Sequence, residues 1–301
     1  MPRTHSSRTP ATCLLSVLIY SAGSLSILHA QAPPAGPPPP PPKIEKIKDN
    51  LYVIENEHAT FDELRYWGGN ITVYVTGNSV LLVDCKFDRA HEDLMAKLKT
   101  LSDKPVKYVV LTHNHADHAG GAEQMEAQGA TILISAEDRK NMVHAAGQKW
   151  FPTVTYIGQA QLFPGGKEVD LRQMRGHTRG DTVVYFPAER VVTVGDLLTT
   201  SDDIPNIVTY GDGGNWTDWE ASINEVLKMD FDVAIPGHGP VVTKAQVVSY
   251  RDKMVAVRER TRVLVREKKS PEEIAQTLIK EFNWGKGPAA GAIPGMMQEL
   301  R

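Results

Sequence analysis

From Ile44 onward the chain alternates short hydrophobic runs with polar turns. The runs IEKI, LYVIEN, ITVYVT and VLLVD are rich in β-branched residues, and turn-forming pairs such as Asp49-Asn50 and Gly77-Asn78 separate them. Runs of this length and composition, bounded by such pairs, are typical of strands. We therefore expect the fold to open with an antiparallel meander.

A helical period follows this meander. The segment RAHEDLMAKLKTL places Leu94, Leu98 and Leu101 at helical spacing, and VKYVVLT is a continuous apolar run typical of a strand buried on both faces. The scheme then repeats with TILIS, a helix from about Ala136 to Ala146, strands TVVYFP and RVVTVG, a helix in WEASINEVLKM and the strand VAI. Two strand-then-helix halves predict two sheets packed face to face with helices outside, in one domain.

The C-terminal part predicts two helices over about 244–282. We expect a break near Ser270-Pro271, because serine caps helices well and proline suits the first helical turn. The segment 285–301 is rich in glycine, proline and methionine, and we expect a loosely ordered tail there.

The first thirty residues have the pattern of an export signal. Arg3 and Arg8 precede an apolar run from Cys13 to Leu28, and Ala30 supplies a small residue for cleavage. Serines and a glycine interrupt the run, which is short for a membrane-spanning helix. The sequence therefore predicts a signal peptide over 1–30 and a periplasmic or secreted protein with no stable membrane span after cleavage.

Composition limits the remaining possibilities. Residues 31–43 form a proline-rich linker, which favours an extended spacer and leaves 44–301 as the folded domain. After cleavage Cys85 is the only cysteine, so no intrachain disulfide can form. The net charge is −3 and the basic residues are scattered, which argues against a nucleic-acid partner. We expect a small-molecule substrate, and nothing in the sequence favours one oligomeric state.

The densest chemical motif is THNHADHAGG, residues 112–121. In extended backbone His113 and His115 project to the same side and can converge on one metal ion, and Asp117 and His118 follow where the chain turns near Gly120. Imidazole and carboxylate are ligands that suit zinc, and a catalytic zinc site keeps one position for water. The donors exceed the needs of one open site, which predicts either a second metal ion or a carboxylate that handles protons.

Three further donors stand beside glycines in loops at strand ends. They are His177 in RGHTRGD, Asp196 in VTVGDLL and His238 in IPGHGP. Taken alone, each would be an ordinary polar surface residue. Taken together with the histidine-rich motif, they make a metal site the better interpretation.

These motifs resemble the metallo-β-lactamase superfamily. The matching residues are HNHADH at 113–118, GHT at 176–178, GD at 195–196 and GHG at 237–239, and the resemblance runs from about 44 to 242. It implies an α/β fold with four layers, an αββα sandwich, and a metal site at one edge where the two halves meet.

The resemblance also implies a ligand set. One metal ion would be bound by His113, His115 and His177, a second by Asp117, His118 and His238, and Asp196 would bridge the two. We expect two Zn²⁺ ions, with iron as the alternative metal.

One further acidic residue and a catalytic role follow from the same resemblance. Asp84, which closes VLLVD, resembles a buried acidic residue of the family and would orient a ligand histidine or support the loop. An ordinary strand-end carboxylate is an equally good reading of it. Paired zinc ions ionise water near neutral pH and polarise a carbonyl, and Asp117 would then act as the catalytic residue that orients the nucleophile and transfers a proton.

The substrate class stays broad at this stage. An aspartate at position 196 resembles the lactonases and glyoxalase II thioesterases, whereas true β-lactamases usually carry Cys or Ser there. Thr199 stands where some β-lactamases place a lysine for the substrate carboxylate. Export points the other way, because β-lactams act outside the cytoplasm. We expect cleavage of a β-lactam-like amide, a lactone, an ester or a thioester.

Two alternative functions remain open. A mono-iron enzyme of the persulfide dioxygenase type uses two histidines and an aspartate, so His118 and His238 would have no role. A non-catalytic metal-binding module would keep the fold and lose turnover.

Two segments are candidate pocket walls. EHATFDELRYWGGN, residues 57–70, places Phe61, Tyr66 and Trp67 in a turn-rich connection where the family carries a mobile flap. These aromatic side chains could cover an apolar substrate, or they could pack on the sheet. Tyr210 could donate to an oxyanion or be a structural hydroxyl.

Overall fold

The computed structural model describes residues 37–144 and 149–301, so the predicted signal peptide lies outside the described residues. A seven-stranded sheet is formed by the first half of the chain, with its strands side by side in sequence order. Its first four strands pair antiparallel, and the fourth to seventh pair parallel. The strands are β1 (Lys43–Lys48), β2 (Leu51–Glu55), β3 (Ile71–Val75), β4 (Val80–Val83), β5 (Val106–Val110), β6 (Thr131–Ser135) and β7 (Val154–Tyr156).

The second half of the chain forms a six-stranded sheet. Its strands are β8 (Gln159–Leu162), β9 (Val169–Gln173), β10 (Thr182–Phe186), β11 (Val191–Thr199), β12 (Val233–His238) and β13 (Val242–Thr243). Their spatial order is β13-β12-β11-β10-β9-β8. Only the pair β11–β12 is parallel, and the other pairs in this sheet are antiparallel.

Helices cover both outer faces. They are α1 (Phe61–Trp67), α2 (His91–Leu101), α3 (Ala116–Ala119), α4 (Ala122–Ala127), α5 (Ala136–His144), α6 (Trp216–Lys228), α7 (Lys244–Arg266), α8 (Pro271–Phe282) and α9 (Pro288–Glu299). Short 3₁₀ turns lie at Asp88–Ala90, Pro164–Gly166 and Tyr210–Asp212. In the part of the chain that the structure describes, no helix is both long and apolar enough to cross a bilayer.

Three hydrophobic clusters hold the layers together. The middle one lies between the two sheets, where Tyr74 of β3 meets Phe186 of β10 with ring centroids 5.1 Å apart. A second cluster joins the first sheet to α2 and α4, through residues such as Leu94 and Met125. The third joins the second sheet to α6–α9. The order helix, sheet, sheet, helix confirms the predicted αββα sandwich.

The helix over residues 61–67 replaces the turn-rich connection that the sequence predicted. Thr60 and Glu63 form a reciprocal capping box, in which each side chain accepts from the other residue's backbone N–H, and this favours a helix start at Phe61. The aromatic residues of the segment therefore lie on one short helix.

The expectation of a loosely ordered tail from Gly285 is wrong. Residues 288–299 form α9, and its fully buried residues Ala289, Ile293 and Met296 pack in the third cluster. Their spacing of four and three residues makes one apolar stripe, which outweighs the poor helix propensity of glycine and proline because the stripe is buried against other helices. Proline at the first helical turn is also well tolerated.

Four strands, β7, β8, β9 and β13, were not predicted. β7 and β8 are short and mostly polar or exposed, with sequences VTY and QAQL, so they lack the apolar alternation by which a strand is detected. Asp196 and His238, expected in loops, lie within β11 and β12.

Replacing Ile293 by Ala tests whether the C-terminal helix is part of the core. Because this side chain is fully buried, we expect the free energy of unfolding to fall by about 2–5 kcal/mol, measured by urea denaturation. Gln298→Ala on the exposed side of α9 is the control and should change stability little. Equal stability of the Ile293→Ala variant and the parent would contradict a packed tail.

Candidate metal centre

The donor side chains come from four places at one edge of the sandwich. The loop after β5 and helix α3 carry the histidine-rich motif, and the loop between β9 and β10 carries His177. Asp196 lies in β11 and His238 ends β12. The structure brings all seven together in two groups. The first group is His113, His115, His177 and Asp196, and the second group is Asp117, His118 and His238.

The first group has the spacing of a metal site. His115 Nδ1 lies 3.0 Å from His113 Nε2 and 3.0 Å from His177 Nε2. Asp196 Oδ2 lies 4.0 Å from His113 Nε2 and 3.6 Å from His177 Nε2. Nitrogens bound to a tetrahedral zinc ion at about 2.0–2.1 Å are about 3.3 Å apart, so small adjustments suffice to place an ion among these atoms.

The second group is equally compact. His118 Nε2 lies 3.2 Å from His238 Nε2, and Asp117 Oδ2 lies 3.5 Å and 3.3 Å from these two nitrogens. Asp196 Oδ1 is 3.3 Å from each of the same two nitrogens. The two oxygens of Asp196 are thus divided between the groups, which is the arrangement of a bridging carboxylate.

The local backbone geometry of β11 directs the Asp196 side chain toward the other donors. The parallel pairing of β11 with β12 shifts register on both sides of Gly195, which has φ +53°, a value that glycine adopts without strain. Across the pair, Gly237 lies so close that a Cβ there would collide with Asp196 Oδ1. Glycine before His238 is therefore required for the two strands to present their donors side by side.

Asp84 contacts His118 of the second group directly and His113 of the first group through Thr112. Its Oδ1 accepts from the Thr112 backbone N–H at 2.7 Å, and its Oδ2 lies 2.8 Å from both Thr112 Oγ1 and His118 Nδ1. Thr112 Oγ1 is also 3.0 Å from His113 Nδ1. With a proton on each Nδ1, His113 and His118 turn their Nε2 atoms toward the metal positions, as partners of metal-binding histidines commonly arrange.

Two further partners were missed by sequence reasoning. His115 Nε2 lies 2.9 Å from Asp212 Oδ2, and the backbone carbonyl of Ile207 is 3.0 Å from His177 Nδ1. Asp212 belongs to the segment YGDGGNW, 97 positions from His115, and no local pattern marks it as a histidine partner. A backbone carbonyl leaves no sequence signal at all.

Burial and neighbouring charges together set the charge state of the site. Loss of hydration holds the pKa of His113 well below its usual value and lowers the pKa of His177 to about 4, so both are neutral and can donate to a metal. Burial alone would raise the pKa of Asp196, but the His238 and His118 imidazoles outweigh it and lower that pKa well below its usual value. Asp196 therefore presents a carboxylate to both groups of donors.

The residues fit bound cations. Both oxygens of Asp117 and Oδ1 of Asp196 are buried yet accept no hydrogen bond from the described residues. Leaving buried carboxylate oxygens without a donor is costly, and a coordinated divalent cation removes that cost. Histidine and carboxylate donors without thiolates suit zinc and also iron.

Comparison with known proteins agrees with this geometry. The sequence model of the metallo-β-lactamase superfamily matches residues 64–238, more than half of the chain. The chain belongs to the metallo-β-lactamase superfamily. The predicted resemblance is thereby confirmed, and membership together with the clustered donors supports a metal-dependent hydrolase.

Individual members of the superfamily are only moderately similar. A metallo-beta-lactamase type 2 of Elizabethkingia meningoseptica is 28% identical over 206 residues, covering 65% of this chain and 78% of the relative. One from Bacillus cereus is 27% identical, covering 63% and 80%. Among solved structures, a metallo-beta-lactamase from Pontibacter korlensis has a TM-score of 0.61 at 22% identity, covering 70% of this chain and 99% of its own. The DIM-1 metallo-beta-lactamase has a TM-score of 0.59 at 20% identity, covering 71% and 96%.

The predicted wall residues have defined contacts in this superfamily member. Trp67 Nε1 donates to the Pro40 carbonyl at 2.9 Å, so part of the proline-rich linker packs on α1. Tyr66 stacks edge-on against Trp67 with centroids 4.7 Å apart, and Phe61 lies 5.9 Å from the Arg65 guanidinium. The Tyr210 hydroxyl donates to Glu299 Oε2 at 2.8 Å and is therefore already committed to a structural partner.

Replacing Asp84 by Ala tests whether it supports the histidines of both donor groups. His118 loses its direct partner and His113 loses the support of Thr112, so we expect zinc affinity to fall by about 10–100-fold. Competition with a chromophoric chelator measures this. Asp103→Ala, at an exposed aspartate, is the control. Unchanged zinc affinity in the Asp84→Ala variant would contradict this role.

Proposed function

We propose that the protein is a binuclear zinc hydrolase that cleaves the carbonyl bond of a β-lactam-like amide, a lactone, an ester or a thioester. The observation that supports this most is the division of the Asp196 carboxylate, with Oδ2 facing the first group of histidines and Oδ1 facing the second. A single-metal enzyme would have no use for the complete second group of Asp117, His118 and His238.

Each part of the site has a role in this proposal. His113, His115 and His177 would hold the first ion, His118, His238 and Asp117 would hold the second, and Asp196 lies between the two groups. When bound, zinc would supply a water whose pKa is lowered to about 7 and a Lewis acid for a substrate carbonyl. Neither oxygen of Asp117 accepts a hydrogen bond from the described residues, which suits a carboxylate that orients the nucleophile and carries a proton to the leaving atom.

The proposed substrate class depends on Asp196 and on the nearby residue Thr199. The similar proteins named above are called metallo-beta-lactamases, which supports a β-lactam-like amide as one candidate. Thr199 is 4% exposed and its hydroxyl lies 3.4 Å from that of Tyr250, so no cation is supplied at that position for a substrate carboxylate. Together with aspartate at 196, this supports lactones and thioesters as strongly as lactams. The signal-like N-terminus supports action outside the cytoplasm.

Metal removal and reconstitution test the two-ion arrangement. After exhaustive chelation, we expect the protein to take up two zinc ions per chain, as counted by elemental analysis and native mass spectrometry. His238→Ala removes a donor of the second group only and should reduce the uptake to one ion. A parent chain that retains a single iron ion and takes up no further zinc would favour the redox alternative.

A substrate panel tests the reaction. Zinc-loaded protein should turn over at least one of a chromogenic lactam, a lactone and a thioester, and a protein that binds zinc but turns over none would be a binding module. Asp117→Asn should lower kcat by about 10²–10⁴-fold, the usual value of a positioned acid–base group. Asp49→Asn, at an exposed aspartate, is the control, and zinc content is measured in each variant. Undiminished kcat in Asp117→Asn would contradict the proton-transfer role.

A further inference from the structure

The last helix of the chain contacts the loop that supports His115. Glu299, at the end of α9, accepts four hydrogen bonds from this loop and the helix after it. The donors are Tyr210 Oη at 2.8 Å and Trp216 N, Thr217 N and Thr217 Oγ1 at 3.0 Å each. The superfamily match ends at residue 238, so α9 lies outside it.

We propose that Glu299 is a positioning residue for the first metal position. It acts through Tyr210 and the 3₁₀ turn on Asp212, and through Asp212 on His115. This inference rests on the metal centre of the proposed function, and it assigns a role in that centre to the C-terminal helix.

The first step of the connection is the anchoring of Tyr210. Its hydroxyl donates to Glu299, and its ring lies directly against Gly295 of α9, where a Cβ would collide with the ring. Both the polar and the apolar part of this side chain are therefore fixed by one helix. Ile293 and Met296, fully buried in the third cluster, hold that helix in place.

The second step is the short distance along the chain from Tyr210 to Asp212. The two residues are the ends of one 3₁₀ turn, closed by a hydrogen bond of 3.0 Å from Gly213 N to the Tyr210 carbonyl. A turn of three residues has little freedom, so a shift of Tyr210 displaces Asp212. The Asp212 carbonyl also accepts from Arg179 N at 3.0 Å, which ties the turn to the loop that carries His177.

The third step is the contact of Asp212 with the metal-binding residue His115. Asp212 Oδ2 lies 2.9 Å from His115 Nε2 and 3.3 Å from Asn114 Nδ2. This leaves Nδ1 of His115 for the metal, between the nitrogens of His113 and His177. His115 is the one histidine of the site that uses Nδ1 in this way, so its ring orientation depends on a partner at Nε2.

The negative charge of Glu299 also suits its position at the N-terminus of α6. Trp216 and Thr217 are the first two residues of α6, whose N–H groups have no partner within the helix. A carboxylate at a helix N-terminus is further stabilised by the helix dipole. Glu299 thus fixes the loop 210–217 at both ends, at Tyr210 and at the start of α6.

Zinc binding to the metal-free full chain tests this inference without any substrate. Asp212→Ala should weaken the first-position zinc by about 10–100-fold, since it removes a direct partner of a ligand. Glu299→Ala acts one contact further away and should weaken the same ion by about 3–30-fold. Gln298→Ala, at the exposed neighbouring position on α9, should leave both dissociation constants unchanged.

A double variant separates positioning from general stability. If Glu299 acts through Asp212, the effect of Glu299→Ala on zinc affinity should largely vanish in the Asp212→Ala background, whereas independent effects would add. Glu299→Gln keeps an acceptor for Tyr210 and should restore part of the affinity. If Glu299→Ala fails to fold, Tyr210→Phe removes only the hydroxyl, leaves the contacts of Glu299 with α6, and should weaken the same ion.

The outcomes divide clearly. Zinc affinity unchanged in both Glu299→Ala and Tyr210→Phe, or additive effects in the double variant, would overturn the inference. Neither result would touch the proposed hydrolysis, because the parent would still bind two ions. A parent that binds two zinc ions but turns over no substrate would defeat the proposed function alone, and a parent that binds no zinc would overturn both.

Discussion

A buried carboxylate set between two groups of imidazoles is the constraint on which the site depends. Asp196 is 8% exposed, remains ionised, and has one oxygen without a hydrogen bond from the described residues. Burying such a charge costs several kcal/mol unless a cation compensates it. The backbone on both sides permits this placement. β11 shifts register around Gly195, where a Cβ would collide with Thr112, and a Cβ at Gly237 would collide with the Asp196 carboxylate itself.

The fold meets this constraint by ending strands of both sheets at one edge. Asp84 follows β4 and Thr112 follows β5, and these two residues join the histidine-rich turn to the first sheet. Asp84 has φ +67°, an uncommon conformation for a residue with a side chain, and its hydrogen bonds to Thr112 and contact with His118 compensate for it. β11 and β12 deliver Asp196 and His238 from the second sheet. The middle hydrophobic cluster therefore fixes the distance between the two halves of the site.

The donors could be predicted from the sequence because closely spaced histidines and glycine-flanked strand ends leave local patterns. Their partners could not, since Asp212 and Ile207 gain their roles only from long-range packing that no local signal encodes. The tail was misjudged for a different reason. Its glycines and prolines have poor helix propensity, although Ile293 and Met296 lie on one apolar stripe. That stripe stabilises a helix only when α6–α8 bury it.

The two segments predicted as pocket walls are both held by contacts outside the metal centre. On one side, α1 is fixed by the capping box at Thr60, by Trp67 donating to Pro40, and by Arg89, which donates to the Tyr66 carbonyl at 2.9 Å. On the other side, Glu299 fixes the turn at Tyr210. Ordering a loop when a ligand binds costs free energy, and walls already ordered avoid that cost. The contacts at α1 and at Tyr210 therefore reduce the ordering that binding at this edge of the sandwich would require.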